Sequence, residues 1–209
     1  MSIFLMRYLL LSSFVFLLAC SESPYRSLQA SSTSTECLAK FKPDFSSVLY
    51  NTHVNVTGKH LSGLLIFKKM PDSTVRAIFS SEMGVKFFDF EYSKSGFKVE
   101  YCMKQLDRKA VIKQLKKDIG FIIMNGIDIS SGKSLHSATE SYFLFHSGKE
   151  ETYYITDSAC TRLLRIENAS KRKKKVIINL NDYKDGMADS VYIAHQTFEF
   201  NISLKQLKR

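Results

Sequence analysis

Five histidines and four cysteines are the side chains of this sequence best suited to hold a metal or attack a substrate. Their spacing serves neither task. His53, His60, His136, His146 and His195 form no HxH or HExxH pair that would bring two imidazoles onto one ion. His146 and His195 fall at the ends of strand-like runs, where a hydrogen-bonded or solvated ring is expected. Cys20, Cys37, Cys102 and Cys160 include no CxxC and no pairing with histidine at metal spacing. With Cys20 set aside, three thiols permit at most one disulfide and leave one unpaired, and buried free cysteines are the expectation. No GxSxG elbow and no phosphate-cradling glycine loop occurs. Asp89 stands between Phe88 and Phe90, where burial would raise its pKa, but strand alternation turns it to the outer face beside Glu91. These residues point away from catalysis, and they ask for no cofactor and no metal.

Charge is the second source of chemistry. Thirty Lys and Arg oppose twenty Asp and Glu, a net charge of +10, which suits anionic head groups or acidic glycans. The densest run is Lys171, Arg172, Lys173, Lys174 and Lys175. It reads as a hairpin tip, and on a protein held at a bilayer each such base gains about 1 kcal/mol from an anionic surface, so contact with lipid head groups is expected.

Cys20 closes an apolar segment, "YLLLSSFVFLLA", that follows a single positive charge at Arg7. This is the layout of a secretory signal, and the segment is too short to span a membrane, which takes roughly 20 apolar residues. Leu17-Leu18-Ala19-Cys20 resembles the lipobox of bacterial lipoproteins. The resemblance implies cleavage before Cys20, diacylation of its sulfur and acylation of its new amino group. It implies an anchor in the membrane, with Ser21 and Glu22 favouring the outer membrane of the envelope. A nucleic-acid partner is not expected there.

The elements that must carry these residues follow from composition and period. Residues 1–19 are read as the signal and 20–36, rich in Ser and Thr, as a flexible tether. Residues 37–209 are read as one domain. Cys37 to Asn51 suggests a short helix or two, broken at Pro43. Four runs, "GLLIFKKM", "TVRAIFSS", "VKFFDFEY" and "GFKVEYCM", are separated by turn chemistry and predict an antiparallel meander. In the fourth, Phe97, Val99, Tyr101 and Met103 alternate with polar neighbours. "LDRKAVIKQLKKDIG" predicts an amphipathic helix with Asp107 at its N-cap, Val111, Ile112, Leu115 and Ile119 on one stripe, and lysines opposite. After a polar loop, six more runs read as strands: "SYFLFHS", "ETYYITD", "TRLLRIE", "KVIINLND", "DSVYIAH" and "TFEFNISL". The triplets Asp72-Ser73-Thr74, Asp157-Ser158-Ala159 and Asp189-Ser190-Val191 look like an O-glycosylation signal of some Gram-negative envelopes, each at a predicted turn.

The fold class expected is mainly β with α: a strongly curved antiparallel sheet or half-open barrel of about ten strands, with one or two amphipathic helices packed on it. Residues 58–118 are similar to the LolA/LolB-like family of lipoprotein carriers and acceptors. Gly63-Leu64 at the start of a strand, Arg76 and Phe79 in the next, Gly84 at the hairpin and Phe88-Asp89-Phe90 after it carry the resemblance. What it implies is an apolar concave face that holds acyl chains beneath helices acting as a lid. The lining expected is Leu65, Phe67, Val75, Ala77, Phe79, Phe88, Phe90, Phe97, Val99 and Tyr101. Function is then expected to be binding of lipid or acylated cargo by a membrane-anchored lipoprotein. A structural or interaction lipoprotein with a solid core is the alternative.

Overall fold

Runs of β-branched and aromatic residues broken by Gly, Ser, Asp and Pro leave the chain little choice but hairpins. The computed structural model describes residues 23–184 and 186–207, so the signal segment and Cys20 lie outside the described residues. Thirteen antiparallel strands form one open sheet. In chain order they are β1 (Gln29–Ala30), β2 (Ser47–Val56), β3 (Lys59–Lys69), β4 (Val75–Ser80), β5 (Lys86–Tyr92), β6 (Phe97–Cys102), β7 (Lys133–His136), β8 (Glu140–Ser147), β9 (Glu150–Asp157), β10 (Leu163–Ala169), β11 (Lys174–Lys184), β12 (Met187–His195) and β13 (Phe200–Gln206). Their lateral order is β1-β7-β8-β9-β10-β11-β12-β13-β2-β3-β4-β5-β6. Among the described residues one α-helix, α1 (Lys109–Ile122), connects β6 to the region before β7, and 3₁₀ helices span Thr35–Phe41 and Ile129–Ser131.

The ten expected strands are all present, and three more accompany them. β2 replaces the second helix expected before Asn51, because Ser47 to Val56 alternates buried and open side chains at period two and pairs with both β3 and β13. β1 and β7 are short edge strands whose composition carries no strong β signal; they exist because they pair with each other and β7 with β8.

One face of this sheet buries the core. Register aligns Phe143, Tyr154, Ile166, Ile178, Ile193, Ile202 and Val54 in a row across seven strands. A second row, Tyr50, Leu65, Phe79 and Phe88, runs across β2 to β5. A bulge beside the Phe79–Phe88 pair sets both Phe87 and Phe88 against Phe79, with ring centroids 4.8 and 5.6 Å away. α1 and the 3₁₀ helix cover this face, burying Leu115, Ile119 and Ile122 from the first and Leu38 and Phe41 from the second. α1 starts without the expected cap. Arg108, not Asp107, occupies the N-cap position, and no side chain bonds to the first turn.

Two expectations about the ends of the covers are corrected. Cys37 and Cys160 are not free thiols; they form a disulfide 123 residues apart in sequence, and Cys102 is the free one. The 3₁₀ helix is thereby fixed covalently to the β9–β10 turn, a constraint worth about 5 kcal/mol in the chain-entropy account. The tether expected over residues 20–36 is not a tether from Ser23 onward. Tyr25 is buried on the outer face, its ring stacked on Tyr153 at 3.8 Å, and Ser34 caps the 3₁₀ helix. A single aromatic ring with a partner outweighs the polar composition around it. Of the three glycosylation-like triplets, Ser73 and Ser158 lie exposed at turns, whereas Asp189 to Val191 lies within β12.

Gly63 is required by contact. A Cβ there would stand 2.0 Å from the Ser80 carbonyl oxygen, on backbone that cannot step aside without breaking the β3–β4 ladder. Gly63→Ala is expected to destabilise the protein by about 2 kcal/mol or more, lowering the melting temperature by roughly 5 °C in a thermal scan. Gly84→Ala, at an open turn with φ of +84°, tests the separate cost of positive φ and is expected to lower it less.

Candidate functional site

The concave face offers the largest apolar surface of the fold, so its lining and cover define the candidate site. Of the residues expected to line it, Leu65, Phe67, Ala77, Phe79, Phe88 and Phe90 are buried there together, Phe67, Ala77 and Phe90 completely. Phe88 and Phe90 stack at 4.4 Å. Val75 and Phe97 are half-buried on the same face near its edge, where Val75 and Phe97 both pair with Tyr92.

Val99 and Tyr101 do not belong to the lining. The sheet ends at β6, so Val99, although opposite Phe90, remains 38% exposed. Between Val99 and Tyr101 the pairing slips by one residue, and Tyr101 comes to face Asp89 on the outer side. Its ring there lies 5.9 Å from the Lys86 ammonium. The same slip turns Cys102 inward, opposite Phe88. Asp89 is on the outer face as expected, yet only 3% exposed, because Arg76 reaches it at 2.6 and 2.8 Å and Lys86 at 3.1 Å. Strand alternation gives a side chain's direction and says nothing about the neighbours that close over it.

α1 lies on this lining through apolar contacts and a set of polar ties. Asp118, fully buried, holds the His195 Nε2 at 3.0 Å and accepts from Gln114 Nε2 at 2.9 Å. His195 is stacked on Phe200 at 4.6 Å, so the ring sits at the seam between helix and sheet. The Tyr92 hydroxyl donates to the Lys116 carbonyl at 3.2 Å, and the Tyr154 hydroxyl to the Phe121 carbonyl at 3.1 Å. Burial, with the Asp118 charge second, pushes the Tyr92 phenol well above its ordinary pKa, so it stays a donor. Lys116 also stands 5.0 Å above the Phe97 ring. At the flank, Lys117 and Lys175 both bind Glu150, the latter at 2.9 Å. Burial opposes the Glu150 charge, but the hydrogen bonds and charges of the two lysines prevail and hold its pKa down at about 2. Beside the end of α1 a cleft of 280 Å³ opens, lined by Gly120, Phe121, Asn125, Phe145, His146 and Tyr154 among others. His146, exposed, also borders this cleft.

The basic run divides in two. Lys174 is spent on Glu167 at 2.8 Å and Lys175 on Glu150, so these two are half-buried structural cations. Lys171, Arg172 and Lys173 remain exposed at the β10–β11 tip. Glu167 is almost wholly buried and also accepts from the Tyr25 hydroxyl at 2.6 Å and Arg165 at 2.7 Å. Burial disfavours its charge, but Lys174, Tyr25 and Arg165 outweigh that and hold its pKa below the usual carboxylate range. Sequence reasoning missed Asp118, Glu150, Glu167 and Tyr25, each defined by a partner at least 25 residues away. It also missed Met83, 93% exposed at the β4–β5 tip, which periodicity assigns to no face. Among the described residues no group of three or more His, Cys, Asp or Glu is arranged to hold a metal, and no helix is long and apolar enough to cross a membrane.

No family model and no curated protein matches the chain. Solved structures of similar shape include a LolA superfamily protein from Nitrosomonas europaea, 7% identical over 85% of this chain and 93% of that one, with a TM-score of 0.49. A domain assigned to outer membrane lipoprotein sorting from Vibrio parahaemolyticus is 8% identical over 84% and 90%, with a TM-score of 0.49. A DUF1329 family protein from Desulfovibrio piger is 8% identical over 83% and 90%, with a TM-score of 0.47. At these scores the likeness is one of general shape.

The tie at Glu150 has a defined pH window. Its folded pKa lies below the ordinary 4.5, so the stability it adds is complete above pH 4.5 and is lost as pH falls toward about 2. Hydrogen exchange of the α1 amides, corrected for the intrinsic rate, is expected to lose protection across that window. In Glu150→Gln the loss over this window should shrink, with protection already lower at neutral pH.

Proposed function

We propose that this protein is a membrane-anchored envelope lipoprotein that binds lipid or acylated cargo on its concave face, with α1 as a displaceable lid. The carrying observation is the contrast between the two covers. The 3₁₀ helix is locked by the Cys37–Cys160 disulfide, whereas α1 is held by side chains alone, and its buried stripe contains the Asp118–His195 pair in an otherwise apolar seam. A permanently closed seam is generally served as well or better by apolar residues, since desolvating ionisable groups is costly. A fourteen-residue helix without a side-chain cap is marginal in isolation and depends on those contacts to stay in place. Lifting it would open the Leu65, Phe67, Phe79, Phe88 and Phe90 surface to an alkyl chain of similar cross-section, and exchange of apolar contacts would offset the loss.

Acylation of Cys20 and residence at the outer membrane rest on the Leu17-Leu18-Ala19-Cys20 motif. The disulfide supports an oxidising compartment, in keeping with passage out of the cytoplasm. The mode of action proposed is binding, not catalysis. A second reading has its own support. Phe67, Ala77 and Phe90 are completely buried in the core, which is also the arrangement of a solid-core scaffold that works through its surface.

The two readings separate on a locked lid. In a Cys102→Ser background, Lys117→Cys and Glu150→Cys bridged by a short bis-maleimide should abolish uptake of a fluorescent fatty acid that the unbridged variant takes up. Equal uptake in both, or none in either, would leave the scaffold reading. Metabolic palmitate labelling is expected in the unaltered chain and should vanish in Cys20→Ser.

A further inference from the structure

The register of the sheet brings several hairpin tips to one end of the molecule. Glu151 pairs with Ala169, which puts the β8–β9 and β10–β11 tips side by side. The Gln196 amide donates to the Lys175 carbonyl, which sets the β12–β13 tip next in line. The first two tips enclose an open groove of 770 Å³ lined by Gly148, Lys149, Ser170, Lys171, Arg172 and Lys173. Among the described residues no carboxylate pairs with Lys149, Lys171, Arg172 or Lys173, whereas the nearby Glu150 and Glu167 are each already engaged by two bases. Glu151 accepts from the Tyr153 hydroxyl at 2.9 Å, and Glu199 is an exposed carboxylate on the third tip. Phe198, 45% exposed, stands on the third tip, its ring 4.8 Å from that of His195. Exposed bases beside an exposed aromatic ring are the composition of a surface that rests on lipid head groups.

The first described residues dock close by. Tyr25 docks on Tyr153 and Glu167, with Lys174 5.5 Å from its ring, and Glu167 is three residues from Ser170 at the tip.

We propose that this rim, Lys149 with Lys171, Arg172 and Lys173, is a docking surface for the anionic face of a lipid bilayer. The charge-driven contact does not depend on acylation of Cys20. The bases are on solvent-facing turns, so their substitution leaves the core untouched.

The probe is flotation with vesicles of phosphatidylcholine alone or mixed with phosphatidylglycerol. The protein is the chain from residue 20 with Cys20→Ser, which keeps every described residue and carries no acyl group. Binding is expected to the mixed vesicles only, and to weaken as salt is raised. Charge reversal, Lys171→Glu with Arg172→Glu and Lys173→Glu, should weaken it at least about tenfold at an unchanged melting temperature, while the three-Lys or three-Arg versions retain it. No binding by the parent chain, or equal binding after reversal, overturns the proposal. So does reversal that abolishes binding to a soluble sulfated glycan but not to vesicles. Absence of palmitate on the native protein, with vesicle binding intact, would remove the acyl anchor and leave the rim standing.

Discussion

A sheet of thirteen strands that is apolar across one whole face must have that face covered, and the rest of this structure follows from how it is covered. The isoleucine and aromatic rows on the concave side amount to a continuous hydrophobic surface. Curvature alone cannot close it, because the sheet is open, with β1 and β6 as its edges. Two helical segments supply the missing layer. They are attached in physically different ways, one by a covalent bond and one by hydrogen bonds and ion pairs.

That difference sets what can move. A disulfide spanning 123 residues holds the 3₁₀ segment in place at any pH, as long as it stays oxidised. α1 answers to charge at its flank, where ionised Glu150 joins it to the β8–β9 and β10–β11 hairpins; deeper in the seam Asp118 bonds to His195. The cover is thus held in part by a bond that depends on pH, while the sheet beneath is pinned by continuous backbone ladders and close contacts such as Gly63 against Ser80.

The convex side has a smaller apolar cluster of its own, built from Tyr25, Tyr142, Leu144, Tyr153, Ile155 and Ala169. Its polar border, Glu167 and Glu140 around Arg165, explains why the start of the chain is docked: the Tyr25 ring completes the cluster and its hydroxyl completes the coordination of a buried carboxylate. Lys174 and Lys175 serve the two faces in turn, one on Glu167 and the other on Glu150, and so they are removed from the exposed basic tip that their neighbours form.

The sequence by itself determined the ten main strands, the amphipathic helix and the inward direction of Leu65, Phe67, Ala77, Phe79, Phe88 and Phe90, since period and turn residues are local properties of the chain. It also limited the cysteines to one bridge. Tertiary structure alone decided that the bridge joins Cys37 to Cys160, that Tyr101 turns outward and Cys102 inward through a slip in register, and that a Ser-rich start is docked by one tyrosine. It likewise decided that the Asp118 and Glu167 carboxyl groups would lie under cover and that Glu150 would stand between two lysines. Each of those outcomes depends on a partner distant in sequence, and the free energy of such a contact is defined only once the fold has brought the two sides together.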